Sequence, residues 1–109
     1  MAPHVQLTTT TATREAALRL ARTGVERRLA ACGQVSGPVT SLYWWDGTLQ
    51  SAEEWVCTFK TAQRHAEALA GALRAAHDYT TPEIVITPVV GGDPDYLAWI
   101  DAETEPPAR

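Results

Sequence analysis

The feature that most constrains this chain is a long two-stranded run folded about Asp46-Gly47. Aspartate and glycine both tolerate positive φ. An Asp-Gly pair between two extended patterns is therefore a strong hairpin signal. Before it, Val35–Trp45 reads as one strand; after it, Trp55, Cys57 and Phe59 alternate with Val56, Thr58 and Lys60 as the other. Gly37-Pro38 predicts a bulge or kink in the first of these strands. A hairpin over Val35–Lys60 is long for a chain of 109 residues. One small domain cannot bury all its edges, so the hairpin predicts pairing with another subunit.

The rest of the chain alternates strands and helices around that hairpin. His4–Thr10 reads as a first strand, and Thr13 caps a helix that runs to about Ala31. Leu18, Ala21, Val25, Leu29 and Cys32 recur at helical steps on one face. Thr61 caps a second helix over Ala62–His77, with Ala62, Ala66, Leu69, Leu73 and Ala76 as its buried stripe. His77–Glu83 is a loop closed by Pro82. Ile84–Val90 is an apolar run that reads as a central strand, its second half placed at an edge by Pro88. Asp93-Pro94 starts a short last helix, anchored by Tyr96, Leu97 and Ile100. The order βαββαβ plus a terminal helix is the split βαβ, ferredoxin-like α+β arrangement. Residues 1–109 form one domain, with 103–109 as a polar tail that frays. A sheet apolar on both faces with helices on one side again implies an oligomer.

Charge and cysteine usage narrow the function classes. The net charge of −4 argues against nucleic acid as a partner. No apolar run approaches the ~20 residues of a membrane helix, and the N-terminus lacks the layout of a signal peptide. Cys32 and Cys57 form neither a C-x-x-C pair nor a zinc-ligand spacing. Reduced thiols of this kind read as cytoplasmic.

Several stretches resemble one family closely. They are Leu29-Ala30-Ala31-Cys32, Ser41-Leu42-Tyr43-Trp44-Trp45-Asp46-Gly47 and Phe59-Lys60-Thr61. Next come His77-Asp78-Tyr79-Thr80-Thr81-Pro82-Glu83-Ile84 and Gly92-Asp93-Pro94-Asp95-Tyr96-Leu97-Ala98-Trp99-Ile100. In order and spacing these are similar to the CutA divalent-cation tolerance family over nearly the whole chain. The resemblance implies a ferredoxin-like subunit in a tight homotrimer, structurally similar to PII signalling proteins, with a role in tolerance of copper and other divalent cations. The metal site proposed for some bacterial members joins a cysteine late in the first strand to two adjacent histidines. Here those positions hold Thr9 and Ala76-His77, the usual following proline is Asp78, and the usual asparagine two residues past Cys32 is Gln34.

The candidate chemistry centres on two clusters. His77 and Asp78 are the candidate metal ligands, since imidazole with carboxylate suits Cu2+ or Zn2+. The alternative places His77 at a helix C-terminus with Asp78 solvated. Tyr43, Trp45, Lys60, Tyr79 and Glu83, with Cys32, are the candidate lining of a ligand cleft between subunits. Each has a structural alternative. Cys32 can be an inert buried thiol, Lys60 can snorkel, and Tyr43, Trp44 and Trp45 can pack in a trimer core. Tyr79 and Glu83 can hold the loop by hydrogen bonds, and Cys57 reads as core. A copper site at His4 after removal of Met1 is opposed by Pro3, which lacks the required N–H; His65 reads as solvated. No catalytic residue is assigned. The functions to weigh are a non-enzymatic tolerance trimer without an obligatory cofactor, a PII-like sensor of an anionic small ligand, and a small acid-base enzyme. Metal chaperones with a C-x-x-C loop, acylphosphatase-like enzymes and RNA-binding sheets are set aside on motif and charge.

Overall fold

The computed structural model describes residues 3–105. Its elements are β1 (His4–Thr11), α1 (Arg14–Glu26), β2 (Cys32–Trp45), β3 (Thr48–Ala62), α2 (Ala66–Ala76), β4 (Ile84–Val89) and α3 (Pro94–Glu103). One antiparallel sheet has the order β2-β3-β1-β4. That order with two crossover helices is the ferredoxin-like α+β fold expected from the sequence.

The hairpin closes where the sequence places it. Trp45 pairs with Thr48, and both residues between them have positive φ, 52° at Asp46 and 76° at Gly47. Positive φ at both central positions is the turn geometry whose twist matches antiparallel strands. The ladder breaks between Ser36 and Val39, the bulge that Gly37-Pro38 predicts. β1 pairs with β3 only from Trp55 to Ala62. The outer part of the hairpin, Val39–Glu54, therefore projects as a two-stranded arm. Leu42 and Trp44 on it are 70% and 72% exposed.

The core lies on the other half of the sheet. Leu7, Cys57 and Phe59 point to the helix-covered face, where Ala17, Leu20 and Ala21 of α1 and Leu69 and Leu73 of α2 close over them. Phe59 is fully enclosed. A Cβ on Gly24 would come within 2.7 Å of its ring and 3.1 Å of Leu69 Cδ1. Gly24 is thus what lets α1 approach the sheet.

Several expected boundaries move for identifiable reasons. Helix α1 stops at Glu26, not near Ala31. Arg28 takes a φ of 59°, and the N–H groups of Leu29 and Ala30 both donate to Gly24 O. The buried face is consequently Ala16, Ala17, Leu20, Ala21 and Gly24, while Leu18 is exposed. Thr61 is a strand residue whose hydroxyl donates to Leu29 O at 2.7 Å, so it does not cap a helix. Gln63–His65 forms a 3-10 turn, and α2 begins after it. Ala76 lies on the exposed side of α2. Strand β4 is an edge strand throughout, paired to β1 alone. The supposed tail starts in order. Glu103 ends α3, and Thr104 is 1% exposed with its hydroxyl donating to Ile100 O. Residues 106–109 of that expected tail lie outside the described residues.

The Gly24 contact is testable. G24A gains about 1 kcal/mol of helix propensity, but its methyl group meets an enclosed ring with no room to give. Overpacking of that kind costs ~1–3 kcal/mol. We expect a net loss of up to about 2 kcal/mol in urea unfolding; increased stability would contradict a tight α1 approach at Gly24.

Candidate functional site

A cleft of about 770 Å³ opens between the hairpin arm and the loop from α2 to β4. The arm contributes Tyr43, Trp45 and Glu54, and the loop contributes Asp78, Tyr79 and Glu83. Thr10 at the end of β1 lies between them. The volume is that of a small-molecule site.

His77 builds the loop. Its Nδ1 accepts from the Tyr79 backbone N–H at 3.0 Å. The proton therefore sits on Nε2, which donates to Thr10 O at 2.9 Å and lies 3.1 Å from Thr9 Oγ1. The ring pins the start of the loop to the end of β1 and turns Tyr79 toward the arm. There the Tyr79 hydroxyl donates to Glu54 Oε2 at 2.9 Å. Burial, this bond and the neighbouring negative charge all push the Tyr79 phenol above the ordinary tyrosine range. Asp78 points outward onto Arg19 at 3.0 Å.

This arrangement bears on the candidate metal pair. Both His77 nitrogens are engaged, whereas Asp78 is exposed and ion-paired through Oδ2 alone, so His77 is the donor a metal ion would have to free. No group of three His, Cys, Asp or Glu side chains comes together as a metal cluster among the described residues.

The expected cleft residues divide into two groups. Tyr43, Trp45, Tyr79 and Glu83 line the cleft together. Cys32 and Lys60 do not. They pair with each other across β2 and β3 at the far end of the sheet. There Lys60 Nζ donates to Gln34 Oε1 at 2.7 Å, and Cys32 Sγ lies 3.7 Å from the Tyr96 hydroxyl. Their position along the strands is one that a family motif does not resolve. Cys57 is enclosed in the core as expected, its thiol pushed up to about 12 by burial. His4 is buried, with Nε2 at 3.1 Å from Asp101 Oδ1. That contact ties β1 to α3. His65 is only half-exposed, and its Nε2 is buried without a hydrogen-bond partner among the described residues, contrary to the solvated reading. Glu54 and Thr10 escaped sequence analysis. Glu54 precedes the alternation that begins at Trp55, and only the tertiary contact to Tyr79 reveals its role.

Two outcomes check this geometry. His77→Ala removes the bond to Thr10 O and leaves the Tyr79 N–H without its acceptor, so we expect ~1–3 kcal/mol of destabilisation by urea unfolding. In alkali, the unfolded chain's tyrosines ionise near pH 10 while folded Tyr79 holds its proton. Its contribution is therefore complete below about pH 10 and is lost as pH rises further. Tyr79→Phe should show a shallower alkaline loss of stability than the parent protein; an identical profile would remove Tyr79 from the account.

Known proteins supply the family. The model for the CutA1 divalent ion tolerance protein family matches residues 5–103. The divalent-cation tolerance protein CutA of Pectobacterium atrosepticum is 43% identical over 86 residues, spanning 79% of this chain and 78% of that protein. Its counterpart from Salmonella newport is 41% identical over 83 residues, 76% and 72% of the two chains. Among solved structures, CutA from Xylella fastidiosa superposes with a TM-score of 0.92 at 31% identity, covering 95% of this chain and 100% of that one. The protein from Archaeoglobus fulgidus gives 0.90 at 33% identity, covering 94% and 99%. That last protein is described as periplasmic, which overturns the cytoplasmic assignment. Cys32 and Cys57 lie on opposite faces of the sheet, Cys32 beside Lys60 and Cys57 in the core. They cannot pair in any compartment, so their reduced state says nothing about location. Among the described residues no helix is long and apolar enough to cross a membrane. The relatives are described by tolerance and not by a reaction, in line with the expectation of a non-enzyme. With the family model matching from β1 to the end of α3 and relatives above 40% identity, the chain belongs to the CutA1 divalent ion tolerance family.

Proposed function

We propose that this chain acts as a homotrimeric divalent-cation tolerance protein that responds to copper or zinc ions. The observation that carries the tolerance role is family membership across the folded chain. The arm supports the assembly. It exposes Trp44 and Leu49 on its face away from the cleft, beyond the reach of β1, and β2 and β4 leave two open sheet edges. Exposed apolar surface beside unpaired edges favours association with further copies. For the ion, His77 and Asp78 remain the proposed donors. The ion is optional, since binding exchanges the Tyr79 N–H bond of His77 and the Arg19 pair of Asp78 for metal contacts.

Light scattering on the full chain should give three times the 11.8 kDa subunit mass; a stable monomer would overturn the assembly. Calorimetric titration with Cu2+ and Zn2+ should show saturable binding that is lost in His77→Ala. Binding that survives this substitution would move the ion elsewhere, and no binding would leave the tolerance role without direct metal ligation.

A second reading is favoured by one observation. The cleft beside Tyr79 has the volume and mixed lining of a small-ligand site. A PII-like sensor of a small ligand would use it, and Lys60, the cation expected to hold an anion, lies at the other end of the sheet.

A further inference from the structure

The cleft's own chemistry bears on which small ligand it could take, a question that rests on the sensor reading just given. Its described lining includes the aromatic rings of Tyr43, Trp45 and Tyr79 and the carboxylates of Glu54, Asp78 and Glu83, with no lysine, arginine or histidine. An anion would meet no complementary charge from this lining, the nearby Arg19 being paired with Asp78. We propose that the cleft binds an organic cation, an extended amine with more than one positive charge, and not an anion or a bare metal ion.

Three features support that class. The rings are open to the cleft, Tyr43 41% and Trp45 54% exposed in this chain, and an ammonium over an aromatic face is attracted by the ring's quadrupole. Glu54 lies on the arm wall and Asp78 and Glu83 on the loop wall, and among the described residues they do not converge as a metal cluster. Spaced positive charges match spaced carboxylates better than a single ion does. Among the described residues Glu83 has no hydrogen-bond or ion-pair partner, while Glu54 accepts from Tyr79 and Asp78 is held by Arg19. The methylene stems between the charges of such an amine would lie along the rings.

The test uses the full-length protein and two probes, spermidine as the cation and ATP as the anion, in calorimetric titrations at low and raised salt. Saturable spermidine binding is expected, weakened about tenfold by Glu83→Gln or by Trp45→Leu. It should weaken with salt and be indifferent to Glu67→Gln, an exposed acidic position on α2. The melting temperature and mass of each variant are measured alongside, and Glu83→Gln on an exposed loop keeps the test open if Trp45→Leu fails to assemble. ATP binding lost in Trp45→Leu would overturn the charge assignment while leaving the sensor reading intact. Spermidine binding weakened equally by Glu67→Gln would show diffuse attraction to an acidic protein and overturn the site. No binding of either probe would overturn both readings.

Discussion

The organisation of this molecule follows from a mismatch in strand length. β3 runs from Thr48 to Ala62, but β1 pairs with it only from Trp55 onward. The inner half of β3 is therefore flanked on both sides and roofed by helices, and it carries the core residues Cys57 and Phe59. The outer half has β2 alone as a neighbour. Along Thr48–Glu54 this chain half-buries Gln50, Ala52 and Glu54 and leaves the other side chains exposed. A two-stranded ribbon is marginal in water without a packed face, and here the ribbon carries Trp44, Trp45, Leu42 and Leu49 on its surface. Ordered core and unsatisfied arm are two consequences of one pairing register.

The cleft arises where those two halves meet. Beyond the last β1 residues the sheet narrows, and the loop after α2 comes alongside the arm. His77 sets that loop by using both nitrogens on backbone groups, and Tyr79 reaches Glu54 across the gap. The residue types that invite a metal reading, an imidazole next to a carboxylate, are thus serving loop geometry in this conformation. A ligand that needs His77 must displace bonds that hold the cleft open. A ligand that needs only the rings and Glu83 need not.

Much of this was legible in sequence because it rests on local chemistry. The Asp-Gly turn demands positive φ, Thr13 and Asp93 each accept from a first-turn N–H, and the bulge sits at Gly37-Pro38. What was not legible rests on distant contacts. The end of α1 is set by the turn at Arg28 and the capture of two N–H groups by Gly24 O, while periodicity continues past it toward Cys32. The edge position of β4 depends on strand order, and its apolar run looks the same at an edge as in the middle. At the site, Tyr43, Trp45, Tyr79 and Glu83 could be grouped from motifs that flank one region. Cys32 and Lys60 belong to the same strands but opposite ends, and Glu54 has no motif at all.

The arm also links the two proposed roles. Tyr43 and Trp45 pair across the hairpin with Gln50 and Thr48, while Trp44 pairs with Leu49. Successive side chains point to opposite faces, so Tyr43 and Trp45 share the face that lines the cleft and Trp44 and Leu49 share the other. One ribbon thus turns the rings of Tyr43 and Trp45 to the cleft and carries Trp44 and Leu49 on its other face. The ribbon is held at its base by the Tyr79–Glu54 bond and by ladder bonds to the inner sheet. A shift of the ribbon alters both faces together. Thermodynamic linkage then requires that a ligand favouring one ribbon position also favour the assembly compatible with it. In this fold a tolerance response need not involve chemistry at all, since occupancy of the cleft and packing of the arm draw on the same two strands.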